Sequence, residues 1–543
     1  MGQPGRGASS NPGGTAATTN QSSTLERFKH ACSECQRRKQ KCNRIYPCIH
    51  CQSRGAERLC KYIEKPCNDS SNNNIASGNV DSLGQNSAAV GSESSDRLLP
   101  GLSGDDDLTL PSLDAEVSPL LELPDLLMKK NGILTRKFSN CHCPFIDALA
   151  LSFFQNVNPH YGMIHRTDFG REYNRWWKKK DANKPLPVPW TCLLLMICAC
   201  ACQHLPIDIQ KKLEKMLGAS CQELTESFHY SARYLYSSMP ADRHHKNNVL
   251  WMLHSTYWYK AEAMFAEACH VFYTAVREAQ VLGMPSYHVI YGVPNFELEI
   301  RRRAWCVIDS WDWQIASGLC RKTMIDHSAC SGKRPSLTLE RDGEFSPLMH
   351  MNMQSDLIHR LAGRFPSPSQ VQTRSEIMEY KDMIDEWMLN FPPIFALVDP
   401  DTSNDKRQAW IEYHRHYNYT MGYMMVLNPF RPHMALPYND KSSEEELELR
   451  RIAVDLTLHL VQVLDNWLKF LTFRDGRFHF IIFSLVDAAT VLSNMVLNDK
   501  TNTLPRRDDV YRTIKTALVL QRKLYFLSDS AKLGFRMVQR IAR

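Results

Sequence analysis

Six cysteines stand close together in the order Cys32-x2-Cys35-x6-Cys42-x5-Cys48-x2-Cys51-x8-Cys60. A C-x-x-C pair can bring two thiolates onto one metal with a tight turn between them, and zinc takes four soft ligands in a tetrahedron. Two tetrahedra need eight bonds, so six thiolates satisfy two zinc ions only if two of them bridge. A basic run, Arg37, Arg38, Lys39, Gln40, Lys41, lies inside the first loop. Residues 26–65 hold eleven Lys or Arg against four Asp or Glu, and that surplus of seven equals the +7 net charge of the whole 543-residue chain. The rest of the chain is therefore neutral on balance. Positive charge gathered on one short segment is the footprint of a compact nucleic-acid contact, not of a generally basic protein.

The number and spacing of these cysteines, with the basic run among them, resemble the binuclear zinc cluster of fungal transcription factors. The resemblance implies two Zn²⁺ ions, with Cys32 and Cys48 bridging, Cys35 and Cys42 completing the first site, and Cys51 and Cys60 the second. It implies a short helix after each C-x-x-C, the first over residues 36–41. By position in the family motif, Lys39 is the first choice for a base contact and Arg38 the next. Arg37, Lys41, Arg44 and Arg54 are expected on phosphates, and a CGG-type triplet as the half-site in double-stranded DNA. A basic side chain on guanine O6 and N7 discriminates by about 1–3 kcal/mol. Phosphate contacts position the protein without reading sequence, and they make affinity fall with salt. Metal would supply the core that so short a segment cannot build from side chains. Pro47 suits the joining loop by fixing φ. Cys67 falls outside the pattern. The competing readings are a protein-binding zinc module and a metal store; a store has no need of the basic run. That run also has the composition of a nuclear import signal, so a nuclear location is expected.

The surrounding chain divides by composition. Residues 1–25 are polar and small, with too little apolar content to fold. The cluster occupies 26–67. A disordered linker is expected over 68–140, rich in Ser, Asn and Gly through 68–104. Within it, 105–127 carries seven acidic residues, no Lys or Arg, and interleaved leucines such as Leu108, Leu110, Leu113, Leu120 and Leu123. That alternation is the composition of disordered activation segments; the plainer reading is an acidic linker whose leucines dock on the next domain. Residues 61–104 lack the three or four heptads a coiled coil requires. The choice between a monomer and a homodimer formed through the helical part stays open.

Residues 141–543 read as one large all-α domain. Apolar residues recur at spacings of three and four over 249–282, 451–471, 478–497 and 510–527. Pro285, Pro294, Pro335, Pro366, Pro392, Pro393, Pro429 and Pro505 punctuate between helices. This part is similar to the regulatory, or middle homology, region that accompanies the fungal cluster. The segments that carry the likeness are Leu151-Ser-Phe-Phe-Gln-Asn-Val-Asn-Pro159 with Ile164, His165, Arg166 and Phe169, then Ala279-Gln-Val-Leu-Gly283 with Glu299-Ile-Arg-Arg-Arg-Ala-Trp305, and Val426-Leu-Asn-Pro-Phe430. Cys306, Met284 and Pro285 depart from the usual form. The fold class expected is thus a small zinc-stapled cluster domain plus a large all-α regulatory domain, joined by a disordered linker.

Other residues have types that could do chemistry. Asp309 and Asp312 lie at i, i+3 and read as a solvated or ion-paired helix face rather than a metal site. His244 and His245 read as surface loop. Cys198, Cys200 and Cys202 alternate with alanine in an apolar helix and read as small packing residues. Trp176 and Trp177, ahead of three lysines, read as an amphipathic loop or helix end. The 18 cysteines are too scattered beyond Cys67 for a disulfide framework. No apolar h-region opens the chain. The longest apolar run, 192–202, is far short of the ~20 residues of a membrane span, so no membrane partner is expected. No phosphate loop, G-x-S-x-G, H-E-x-x-H or kinase signature occurs, so no enzyme is expected. The sequence favours a sequence-specific regulator of RNA polymerase II genes that engages the transcription machinery or coactivators. By resemblance to compact cluster regulators the chain is expected to serve a single pathway, such as a secondary-metabolite gene cluster; activator and repressor both stay open, activator being the family's commoner outcome. A small-molecule sensing role for the helical domain is compatible with it.

Overall fold

The computed structural model describes residues 32, 35, 37, 38, 41, 42 and 48–54, and residues 144–541 apart from 285–292, 329–331, 341–343, 440, 472–477 and 527–528. The chain divides into two units, Met1–Leu102 and Ser103–Arg543. The expected linker and its acidic segment 105–127 lie outside the described residues.

In the first unit one short helix, α1 (Ile49–Gln52), follows Cys48, whose extended backbone (φ −68°, ψ 149°) forms its N-cap. The second unit carries fifteen described helices: α2 (Pro144–Asn156), α3 (Arg166–Asp181), α4 (Val188–Cys202), α5 (Ile207–Leu217), α6 (Cys221–Ser237), α7 (Lys246–Ala261), α8 (Phe265–Val281), α9 (Asn295–Gly318), α10 (Met349–Ala362), α11 (Arg374–Leu389), α12 (Trp410–Met434), α13 (Glu444–Leu468), α14 (Phe478–Asn498), α15 (Arg507–Leu524) and α16 (Asp529–Ile541). Among the described residues there is no strand, only a single bridge between Tyr438 and Asp499.

Helix starts follow local chemistry. Ser220, Thr373 and Ser443 each accept from the backbone three residues on, while Glu223, Glu376 and Glu446 reach back to the cap N–H. These capping boxes satisfy two orphan donors apiece. Between the caps, apolar faces close two cores. The first gathers α2 to α8 and most of α9, with α4 packed on α2, α6 and α7, and α7 on α8. The second gathers α10 to α16, with α12 against α11 and α13, and α14 against α15 and α16. Helix α9 serves both: Trp311 belongs to the first core and Trp313 to the second. At Gly422 of α12 a Cβ would stand 2.6 Å from Met388 Sδ, so a larger residue there would have to displace that side chain of α11.

The helical segments expected at 451–471, 478–497 and 510–527 coincide with α13, α14 and α15 to within a turn or two. The segment 249–282 is instead two helices, broken where Ala263 takes a φ of 56°. Apolar spacing runs on through that break, which is why periodicity alone did not reveal it. Pro429 does not separate helices: it and Pro432 lie inside α12. Each proline removes one backbone hydrogen bond, yet α12 is buried along most of its length and is held by packing on both sides. Among the described helices, α14 is long and apolar enough to cross a membrane by length and composition, with a mean hydropathy of 1.9. Its Ile481, Leu485, Ala488, Ala489 and Leu492 are buried in the second core, as in a core helix. It is a longer apolar element than 192–202, which forms the buried α4.

Candidate metal centre

The short turn after Cys48 sets up the first unit's chemistry. The Cys51 N–H donates to the Cys48 carbonyl at 2.9 Å, closing the C-x-x-C loop so that both thiols face the same way. At the other pair, the Cys35 N–H donates to Cys32 Sγ at 3.4 Å. The two pairs meet. Cys32 Sγ stands 3.7 Å from Cys48 Sγ and 3.8 Å from Cys51 Sγ, and Cys35 Sγ stands 3.5 Å from Cys48 Sγ. All four sulfurs lie within 4.8 Å of one another, and all four residues are buried. Ligands about 2.3 Å from a tetrahedral zinc stand roughly 3.8 Å apart, so these spacings fit thiolates around zinc. Burial opposes ionisation of Cys48. Hydrogen bonds from the Cys51 backbone and from the Cys51, Cys35 and Cys32 thiols outweigh it and bring the Cys48 thiol down to about 6. A thiol that ionises this readily is prepared for metal.

Cys42 is partly exposed and packs against the four. Cys60 lies outside the described residues. Of the basic residues singled out, Arg37, Arg38, Lys41 and Arg54 are described and all are exposed, beside the thiol group in sequence. Lys39 and Arg44 lie outside the described residues.

Elsewhere the structure sorts the remaining candidates. Asp309 and Asp312 are ion-paired, as expected of one alternative, but they are buried rather than solvated. His327 Nδ1 bonds Asp309 Oδ1 at 2.7 Å, and His327 Nε2 bonds Asp312 Oδ2 at 3.1 Å. Ser355 Oγ donates to Asp309 Oδ2 at 2.6 Å, and the Met324 and Ile325 N–H groups donate to Asp312. Burial alone would lower His327, but the two carboxylates raise it to about 9, so it carries its proton. The network ties the segment after α9 back onto that helix. Cys198, Cys200 and Cys202 are buried in α4, and burial raises Cys200 above the usual thiol range; they pack, as read. His244 is exposed and meets Glu278 at 2.7 Å. Trp176 and Trp177 lie near the C-terminal end of α3, on the buried face of an amphipathic helix with Phe169 and Tyr173, and Trp176 Nε1 donates to Thr191 Oγ1 at 2.9 Å.

Residues 150–331 match the family described as the fungal specific transcription factor domain. The match supports a transcription regulator. It spans the first two of the three segments that carried the middle-homology likeness; Val426–Phe430 and the cysteine group lie outside it. No curated protein matches the chain. Among solved structures, the one titled "Structure of the K. lactis CBF3 core" is similar at 12% identity with a TM-score of 0.48, covering 75% of this chain and 84% of that chain.

Proposed function

We propose that the chain is a nuclear, zinc-dependent, sequence-specific DNA-binding regulator of RNA polymerase II genes, with the matched domain at 150–331 as its regulatory part. The observation that carries the reading is the meeting of Cys32, Cys35, Cys48 and Cys51 at zinc-ligand spacing, next in sequence to exposed Arg37, Arg38 and Lys41. Two zinc ions on six thiolates would carry a net negative charge, which the adjacent bases would offset while facing phosphate. In this reading Cys42 and Cys60 complete the ligand set, with Cys32 and Cys48 bridging. Lys39 and Arg38 read a CGG-type triplet, and Arg37, Lys41, Arg44 and Arg54 hold phosphates. Coactivators or the transcription machinery would be met by the acidic segment 105–127 or by the helical domain. A pathway-specific activator, for example of secondary metabolism, is the biological role proposed.

Lys39→Ala tests the function. It is expected to lose most specific binding, by about 1–3 kcal/mol, while the protein keeps its full zinc content. Undiminished affinity for the selected site would move the base contact elsewhere.

A second reading has its own observation. The four close thiols by themselves satisfy one closed tetrahedron, as in a single structural zinc. Counting zinc per chain by native mass spectrometry separates the two. Two zincs, both lost on Cys48→Ala, support the bridged pair; one zinc supports the closed four-thiol site.

A further inference from the structure

A cavity of about 210 Å³ lies between the two cores of the helical unit. Helices α7, α8 and α9 supply one wall, and α12, α13 and α14 the other. The surface is mostly apolar. Trp311 and Tyr161 meet edge-on at 4.9 Å on one side, and Tyr417 and Phe480 stand 5.2 Å apart on the other. Met421, Met424 and Met425 complete the far wall; methionine adapts to irregular shapes and contacts aromatic rings favourably. Phe265 and Leu319 line the cavity and are also exposed, so they mark its mouth.

Among the described residues of the lining, Lys260 is the single Lys or Arg. Lys260 Nζ stands 3.6 Å over the Trp311 ring, and no carboxylate among the described residues pairs with it. The indole N–H groups of Trp311 and Trp467, both fully buried, have no acceptor among the described residues. No Asp or Glu is among the described residues of the lining. Buried donors without acceptors are costly and uncommon in native structures. Lys260 is the group that calls for a counter-charge: a cation against a mostly apolar wall is costly without one.

We propose that this cavity binds a small organic acid with a flat apolar or aromatic body, its carboxylate received by Lys260 and its body laid between the Trp311 and Met424 sides. Size agrees: an apolar cavity of about 150 Å³ admits benzene, so this one takes a single ring with a short acidic arm. Burial in the apolar wall brings the Lys260 amine down to about 7, and a carboxylate beside it restores its charge. Because both cores contribute walls, an occupant would brace one half of the helical unit against the other. This goes beyond the DNA-binding reading and does not depend on it.

The probe is trans-cinnamate, with trans-cinnamamide as its neutral match in shape, titrated calorimetrically into the full-length zinc-loaded protein without DNA. Cinnamate is expected to bind about tenfold or more tightly than the amide. In Lys260→Met, which keeps the side-chain length without the charge, that preference should vanish while the melting temperature holds or rises. Gly318 lines the cavity, and a Cβ there meets nothing within 4 Å, so Gly318→Phe adds a ring at the lining and should weaken both ligands. Acid and amide binding alike, a preference that survives Lys260→Met, or no uptake of either at millimolar concentration would each overturn the proposal.

Discussion

Cys32, Cys35, Cys48 and Cys51 are buried chiefly against one another, with Cys42 packed alongside. Trp258, Trp311 and Trp467 are buried equally well, but by side chains from many helices. The thiol group sits at metal-ligand spacing, whereas the helical unit closes its cores with carbon. Where the core is a set of ligands, stability is metal affinity and should vanish with the metal. Where it is apolar area, stability is spread over many contacts and survives the loss of any one.

That contrast can be broken most forcefully by chelation. Removing zinc should unfold the cysteine segment outright, since structural zinc supplies about 10–16 kcal/mol of binding free energy in small domains. Limited proteolysis should then cut within 26–67 while the thermal transition of the helical unit stays where it was. A shift of that transition would show the two units to be energetically coupled. Next in size is Trp467→Ala, which truncates a fully buried ring of the second core. It should lower helical-unit stability by about 3–5 kcal/mol in urea titration and leave zinc content unchanged.

The buried ion pair comes third. His327→Gln should cost about 3 kcal/mol near neutral pH, because Asp309 is left buried beside a neutral partner. Its folded-state proton is held up to about 9, above the ordinary histidine value of about 6.5. The native state therefore keeps a proton that the unfolded chain releases. This contribution is complete below about 6.5 and is lost as pH rises through about 9. The stability gap between native protein and His327→Gln should narrow over that window, and a gap constant with pH would remove the charge from the account. Smallest is Thr373→Ala, which deletes one capping box at α11. About 1 kcal/mol is expected, read as a shift of the denaturation midpoint.

The cysteine spacing was legible because ligand geometry is local: a C-x-x-C needs only one turn, and the turn at Cys48–Cys51 is the one found. The long helices were legible because their apolar stripes repeat over several turns, as in α13 and α15. What escaped has a non-local cause. The break at Ala263 leaves no proline or glycine behind. Pro429 looked like a stop, and the burial of α12 overrode it. His327 meets Asp309 and Asp312 only because the segment after α9 folds back, so charges read as a helix face became an interior pair. Lys260 had one local signal, a lone cation in the apolar stretch Thr256-Tyr-Trp-Tyr-Lys260. The cavity it lines depended on six helices arriving around it.

The most direct test of the zinc-dependent DNA-binding reading is selection from random duplex DNA with the full-length protein, run in parallel with zinc and with a chelator. The account predicts enrichment of a CGG-type triplet with zinc, reversed by the chelator and weakened as salt rises. Enrichment that survives the chelator, or none in either arm, would contradict it and leave the cysteine group as a zinc module for a protein partner.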